Sequence, residues 1–183
     1  MPLVSPISLD VPPDIEVRTA ALADAAAFLA LVLRNRAHLG RYLPKVVTLD
    51  THAKVLQHLS HPATTPVLEV IDLHLFCAGA LCGALRLNHF EHENRKASFA
   101  YLLDAEHQGR GIVTRAARAL LTHAFDALDL HRLELRCVTD NAPSIAVAER
   151  LGFTREGRLR DAEQLDGRFV DHFVYGLLPG ELG

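Results

Sequence analysis

The sequence predicts an α+β fold, and three observations support this class. The length of 183 residues and the apolar share of 49% suit one packed domain, which we place at residues 1–183. Adjacent strand patterns with short joins in the middle of the chain indicate an antiparallel meander. Helical patterns precede and follow these strands without a repeat or linker, so one α+β domain accounts for the sequence.

The first part of the chain contains one predicted strand and two predicted helices. Residues 15–18 alternate like a short strand, and apolar residues then recur at helical spacing over residues 19–40. A second helix is predicted over residues 50–59 and is stopped by Pro62.

The meander consists of strands over residues 67–73, 75–88 and 97–103, which are rich in alternating or continuous apolar residues. The strongest amphipathic pattern of the chain follows and predicts a helix from Gly111 to Leu128. A further strand is predicted over residues 133–138.

The C-terminal part is predicted to form a helix and a hairpin. The helix covers residues 141–151, with Asn141 as its N-cap and Gly152 just beyond its end. The hairpin pairs residues 153–159 with residues 168–175 around a turn at residues 165–167.

Charge and cysteine content narrow the function classes. The formal net charge is −3, and the sequence contains no run of Lys or Arg that would bind along a phosphate backbone. Nucleic acid is therefore not an expected partner. The three cysteines, Cys77, Cys82 and Cys137, lack metal-type spacing and are expected to be buried, reduced thiols. The 11 histidines are spaced irregularly, and no metal is expected.

The N-terminal segments favour a cytoplasmic protein. Residues 1–6 contain two prolines and lack the basic and apolar regions of a signal peptide. The most apolar segment, residues 20–33, contains Asp24 and is too short to span a bilayer. We therefore expect a soluble cytoplasmic protein with no membrane partner.

The segment from Glu106 to Ile112 joins a predicted strand to the strongest helix. Gly109 and Gly111 allow a tight turn that directs backbone amides at the helix start toward an anion such as a pyrophosphate. The Walker pattern and the dinucleotide fingerprint are both absent. Two glycines are a weak signal, and a turn without a ligand is the alternative at this point.

Four motifs in a fixed order place this turn in a wider pattern: SFAYLL at residues 98–103, HQGRGI at 107–112, NAPS at 141–144 and LGFTREG at 151–157. Their order and spacing resemble the GNAT superfamily of N-acetyltransferases, and within it the ribosomal-protein-alanine/serine (RimJ/RimL-like) branch. A weaker resemblance extends to EVR at residues 16–18 and LRNRAHL at 33–39.

The resemblance implies an acyl-CoA N-acyltransferase fold, with a central mixed, mostly antiparallel sheet flanked by helices, and acetyl-CoA as the co-substrate. It implies a cofactor site made by Tyr101, Leu102, Leu103, Gln108, Gly109, Arg110, Gly111, Ile112, Val113, Asn141 and Ser144. The family usually has Gln or Arg where this chain has Glu106. Because a carboxylate would repel a pyrophosphate, we expect Glu106 to face solvent.

The resemblance also implies the catalytic residues. Glu163 matches the branch's candidate base, with Asp161 and Asp166 as weaker candidates, and a solvated surface carboxylate is the alternative. Ser144 matches the residue that hydrogen-bonds the CoA sulfur, although a serine in a first helical turn is by default a cap. Cys137 lacks an adjacent base, so direct transfer in a ternary complex is preferred to a Cys acyl-enzyme.

The acceptor is predicted to be a primary amine, foremost a protein or peptide N-terminal α-amine such as that of a ribosomal protein. An α-amine has a pKa of about 8, against about 10.4 for Lys, and loses its proton more readily. The alternatives are a small amine (polyamine, amino acid derivative or aminoglycoside) and a non-catalytic acetyl-CoA-binding module. Arg34, Asn35, Arg41 and Tyr42 are placed where an acceptor could pass. A homodimer is compatible with the resemblance.

Overall fold

The computed structural model describes residues 6–60 and 70–183. Its strands are β1 (Ser8–Val11), β2 (Ile15–Thr19), β3 (Val70–Cys77), β4 (Ala80–Glu91), β5 (Lys96–Leu103), β6 (Arg132–Val138), β7 (Thr154–Leu165) and β8 (Arg168–Leu177). Its α-helices are α1 (Ala25–Arg34), α2 (Arg36–Gly40), α3 (His52–Leu59), α4 (Ile112–Asp126) and α5 (Ala142–Arg150). Among the described residues, no helix is long and apolar enough to cross a membrane.

The strands form an 8-stranded sheet in the order β1-β2-β3-β4-β5-β6-β8-β7. Strands β5 and β6 pair in parallel, whereas β1 with β2, β2 with β3, β6 with β8 and β7 with β8 pair antiparallel. The predicted α+β class, with a mixed and mostly antiparallel sheet flanked by helices, is confirmed.

The chain forms two compact units. The first contains Met1–Arg86 and Tyr101–Ile112, and the second contains Leu87–Ala100 and Val113–Gly183. Strands β4 and β5 contribute residues to both. One domain over residues 1–183 stays a prediction.

Helices α1 and α3, which lie between β2 and β3 in the chain, contribute to a core of the first unit. Phe28, Leu31 and Val32 of α1 pack with Val55 of α3 and with Leu102 of β5. Complete burial of such side chains stabilises by about 1.5–3 kcal/mol each. This core therefore holds the end of β5, where cofactor-binding residues are predicted.

Two predicted boundaries in the first unit are wrong. Thr19 belongs to β2 instead of a helix, and α1 begins only at Ala25. The predicted continuous helix also breaks at Asn35, whose backbone has φ −103° and ψ 13°. Helical spacing of apolar residues continues across the break, so periodicity alone does not reveal it.

The boundary between the first two meander strands is also misplaced. The sequence predicts it at His74, but β3 continues to Cys77 and turns at Ala78 and Gly79, with φ values of 48° and 79°. Two consecutive positive φ values are typical of a type I′ hairpin turn. His74 is buried within the strand and stacks on Phe28 at 5.1 Å between ring centroids. Residues 67–69 and Pro62 lie outside the described residues.

The second unit follows its prediction more closely. Leu120 and Leu121 of α4 are fully buried, as the amphipathic pattern requires. The hairpin turns at Asp166 and Gly167, with φ values of 48° and 77°. Strand β7 was predicted to end at Leu159, but it continues through a bulge to Leu165.

Strand β1, in the first unit, was not predicted from the sequence.

Candidate active site

The glycine turn (residues 108–112) has the backbone geometry of an anion site. Gly109 and Gly111 have φ values of 73° and 68°, in the left-handed region that side chains disfavour. Helix α4 begins at Ile112, and the first N–H groups of an α-helix have no partner within it. Glu106 is exposed, as expected for a carboxylate that must not face an anion.

The same turn leaves room for a phosphate group. A Cβ added at Gly109 or Gly111 would meet no atom within 4 Å. Arg110 lies between the two glycines and is exposed, so its positive charge is available to a ligand. These residues fit the pyrophosphate of a CoA-type molecule.

The strand that leads to the turn lies close to β4. A Cβ added at Gly83 would lie 2.6 Å from the carbonyl oxygen of Leu102, so only glycine permits this approach. Strand β5 pairs with β6 over residues 96–98, near its beginning. The predicted cofactor-binding residues 101–103 lie at its opposite end.

In the second unit, Asn141 and Ser144 lie in the first turn of α5. The Ser144 N–H donates to Oδ1 of Asn141 at 3.3 Å, so Asn141 is the predicted N-cap. The Ser144 hydroxyl hydrogen-bonds the thiol of Cys137 on β6. The backbone N–H of Ser144 is the group that Asn141 caps, and the Ser144 hydroxyl is a separate functional group.

Burial raises the pKa of the Cys137 thiol, and its hydrogen bond with Ser144 opposes this shift only in part. A thiol with a raised pKa is a poor nucleophile.

Tyr175 is 1% exposed, and its hydroxyl has no hydrogen-bond partner among the described residues. Burial, with smaller contributions from Cys137 and Glu149, raises the pKa of Tyr175. Sequence reasoning did not single out Tyr175.

Glu163 lies on β7 at the end of a bulge. The register shifts between Leu159 and Glu163, and Asp161 within the bulge has a φ of 50°. Oε2 of Glu163 lies 3.2 Å from Nε2 of His172 on β8. The Glu163 side chain is 32% exposed. It therefore lies beside an imidazole and remains open to solvent, although Nε2 of His172 has no hydrogen-bond partner among the described residues.

Asp104 was missed by sequence reasoning. This buried residue of the first unit accepts hydrogen bonds from Nε and Nη2 of Arg34 at 2.8 and 2.6 Å. Burial opposes its ionisation, but hydrogen bonds from Arg34 and Asn35 outweigh burial and hold the pKa of Asp104 below its ordinary value. The residues are 70 positions apart in sequence, so no local pattern reveals the contact.

The placement of Arg34, Asn35, Arg41 and Tyr42 where an acceptor could pass stays a prediction. The Arg34 guanidinium is bound to Asp104, and Asn35 is 3% exposed. Both residues serve the fold around the glycine turn.

The cysteines are buried free thiols, as predicted. The sulfur atoms of Cys77 and Cys82 lie 2.7 Å apart, a contact that their sequence spacing did not indicate. Within residues 6–60 and 70–183, no group of three or more His, Cys, Asp or Glu side chains could hold a metal ion.

The model of the acetyltransferase (GNAT) domain family matches residues 14–154. The N-acetyltransferase YdaF of Bacillus subtilis (strain 168) is 32% identical over 176 residues, which cover 91% of this chain and 92% of YdaF. The ribosomal-protein-serine acetyltransferase of Escherichia coli (strain K12) is 38% identical over 55% of this chain and 56% of its own. Spermidine N(1)-acetyltransferase of the same strain is 28% identical over 66% and 72%.

Solved structures of acetyltransferases also resemble this chain. RimL, a ribosomal L7/L12 alpha-N-protein acetyltransferase in complex with coenzyme A, has a TM-score of 0.87 at 30% identity and covers 94% of this chain and 98% of RimL. The microcin C7 self immunity acetyltransferase MccE, in complex with acetyl-CoA and AMP, has a TM-score of 0.88 at 26% identity, with 96% and 98% coverage. With the glycine turn and the family match, these similarities show that the chain belongs to the GNAT family and is an acetyl-CoA-dependent N-acetyltransferase.

Proposed function

We propose that this enzyme acetylates the N-terminal α-amine of a protein or peptide, with a ribosomal protein as the acceptor. The observation that supports this acceptor most strongly is the similarity to RimL, which extends over nearly the full length of both chains. The ribosomal-protein-serine acetyltransferase of Escherichia coli supports the same acceptor class.

On the cofactor side, the backbone amides of residues 108–113 bind the pyrophosphate of acetyl-CoA, with Arg110 adding positive charge. The backbone of residues 101–103 pairs with the pantetheine arm, and Asn141 contacts its amides. The pairing of β5 with β6 over residues 96–98 supports this assignment, because it involves the other end of β5. Acetyl-CoA supplies an activated acetyl group as a thioester.

In the chemical step, the amine nitrogen forms a bond to the acetyl carbonyl carbon and the bond from that carbon to sulfur breaks. Glu163 accepts the proton that the amine loses, directly or through water. The position of the Glu163 side chain supports this role, because it is 32% exposed and an amine or a water molecule can therefore reach its carboxylate. Ser144 hydrogen-bonds the departing sulfur, which leaves as a thiolate and takes up a proton. The raised pKa of Cys137 supports direct transfer.

Thiol release from acetyl-CoA tests the acceptor. We would compare a ribosomal-type peptide with a free N-terminal Ser or Ala, the same peptide with a blocked N-terminus and an internal Lys, and spermidine. The proposal expects kcat/KM for the free peptide to exceed the other two by at least about tenfold, since a Lys amine has a pKa about 2 units higher. Equal rates with the blocked peptide would contradict it.

A small amine is the second candidate acceptor. The 28% identity to spermidine N(1)-acetyltransferase over 66% of this chain favours it specifically. A higher kcat/KM for spermidine than for any peptide would establish this alternative.

Two further properties belong to the proposal. A ribosomal acceptor would place the enzyme in the cytoplasm. The family resemblance supports a homodimer, which light scattering after gel filtration would detect as twice the monomer mass of 20.1 kDa.

A further inference from the structure

Two buried polar side chains and a partly exposed arginine bind the segment that precedes the glycine turn. Asn35 and Asp104 are 3% and 2% exposed, and neither has a role in the proposed chemistry. Buried polar side chains are costly unless they are hydrogen-bonded, so their partners indicate what they do. We refer to Arg34, Asn35 and Asp104, all in the first unit, as the Asp104 cluster.

Asn35 joins two backbone segments through its side-chain amide. Oδ1 accepts from the N–H of Ala105 at 2.9 Å, and Nδ2 donates to the carbonyl oxygen of Leu31 at 2.9 Å. Asn35 lies at the break between α1 and α2, where its non-helical backbone ends one helix before the next begins. The break thus places an amide against the segment that follows β5.

Asp104 joins the same segment to Arg34 and to β4. Its Oδ2 is bound by the Arg34 guanidinium, and its Oδ1 accepts from the N–H of Glu106 at 3.3 Å. Its own N–H donates to the carbonyl oxygen of Cys82 at 2.8 Å, and Arg34 Nη2 also donates to the carbonyl oxygen of Leu81 at 3.3 Å. These bonds fix where the chain leaves β5.

A further contact reaches the first residue of the glycine turn. The side-chain nitrogen of Gln108 lies 3.1 Å from Nε2 of His38 on α2. Because the amide nitrogen can only donate, the His38 Nε2 must be unprotonated to accept this hydrogen bond. The backbone N–H of Gln108 also donates to the carbonyl oxygen of Ala105 at 3.3 Å. Residues 104–108 are therefore connected to α1 and α2 at several points immediately before Gly109.

We propose that the Asp104 cluster positions the glycine turn for the pyrophosphate of acetyl-CoA, with Asn35 as its central positioning residue. This inference rests on the proposed anion-binding role of residues 108–113. A turn that is already ordered loses little conformational freedom when the anion binds, whereas a loose turn loses more and binds more weakly. The cluster therefore contributes to acetyl-CoA affinity and not to the chemical step.

The test compares wild-type enzyme with the variants Asn35→Ala and Arg34→Ala. Each removes a bond to a buried group, so we expect Kd for CoA by calorimetry and KM for acetyl-CoA to rise about tenfold, with kcat within about twofold. Arg34→Lys, which keeps the charge, should restore part of the affinity. The control is Arg132→Ala, which removes the ion pair with Glu156 in the second unit and should leave Kd unchanged.

Amide hydrogen exchange separates positioning from general destabilisation. Exchange at residues 105–113 should accelerate in both cluster variants, while exchange in the core strands stays as in the wild type. If Asn35→Ala does not fold, Arg34→Ala decides, because its side chain is 43% exposed. An unchanged Kd in the folded variants, or a fall in kcat at constant KM, would overturn the inference and leave the proposed function intact. A wild-type enzyme that binds no CoA would overturn both.

Discussion

The glycine turn of the first unit is defined mainly by its backbone, whereas the Glu163–His172 pair of the second unit is defined by side chains. The turn depends on backbone conformation, through the positive φ of Gly109 and Gly111 and the buried side chains of Asn35 and Asp104. The pair depends on two side chains, and that of Glu163 is 32% exposed at the end of a bulge. A site built from backbone groups tolerates an unusual side chain nearby, such as that of Glu106. A site built from side chains loses its chemical function when a single atom of a functional group is replaced.

The largest effect is expected from removing the charge of Glu163. Glu163→Gln keeps the shape of the side chain but cannot accept the proton, so kcat should fall by about 100-fold or more while Kd for CoA stays unchanged. Steady-state kinetics and calorimetry provide both values. The matched control is Glu156→Gln on the same strand, and wild-type kcat in Glu163→Gln would refute the assignment of the base.

A large effect on stability is expected at Asp24, in the first unit. Burial opposes its ionisation, but hydrogen bonds from Arg18, the backbone of Ala21 and His74 hold the pKa of Asp24 at about 2. A folded pKa below the ordinary value of 3.8 stabilises the fold above pH 4, and this contribution is lost as the pH falls through about 2. Asp24→Asn should therefore lower the free energy of unfolding by about 2 kcal/mol at pH 7.

Urea denaturation over a pH series measures this contribution, and the difference from wild type should shrink toward pH 2. Burial also lowers the pKa of His74, which adds a loss of stability as the pH falls below its ordinary value of 6.5. Asp50→Asn, which removes an exposed ion pair with Lys54, is the control and should change little. A pH-independent difference would show that Asp24 acts by packing alone.

A smaller effect is expected at the glycine turn. Gly111→Ala places a side chain at a φ of 68°, which costs about 1–2 kcal/mol, so Kd for CoA should rise about tenfold as the turn relaxes. Gly167→Ala in the hairpin turn has the same strain, at a φ of 77°, and should leave Kd unchanged. Equal Kd values for the two variants would mean that the turn does not bind the co-substrate.

The smallest effect is expected from Ser144→Ala. The N–H bond to Asn141 survives this change, so the helix keeps its cap and its melting temperature should stay close to that of wild type. Loss of one hydrogen bond to the departing sulfur should lower kcat about fivefold. A wild-type kcat in Ser144→Ala would show that the Ser144 hydroxyl does not assist the departing sulfur.

The parts of the molecule that depend on local pattern could be predicted from the sequence. Helix α4 and the turn at Asp166 and Gly167 follow from apolar spacing and turn residues, and both are confirmed. The break between β3 and β4 was misplaced because His74 resembles a polar interruption, although it is buried against Phe28. Tertiary contacts decided that boundary, and they are absent from local pattern.

The site could be predicted only where its residues are close in sequence. The glycines of the turn and the cap at Asn141 are local features, and the structure has both. The bond between Asn35 and Ala105 joins residues 70 positions apart, and the sequence indicated only that Asn35 lies where an acceptor could pass. The position of Glu163 at a bulge likewise depends on how β7 pairs with β8.

The position of acetylation on one peptide tests the central claim most directly. A peptide with a free N-terminal Ser and an internal Lys would be incubated with enzyme and acetyl-CoA in the presence of equimolar spermidine, and the products would be identified by tandem mass spectrometry. The account predicts acetyl groups on the α-amine in large excess over the other amines. Acetylation mainly on Lys or on spermidine would contradict it.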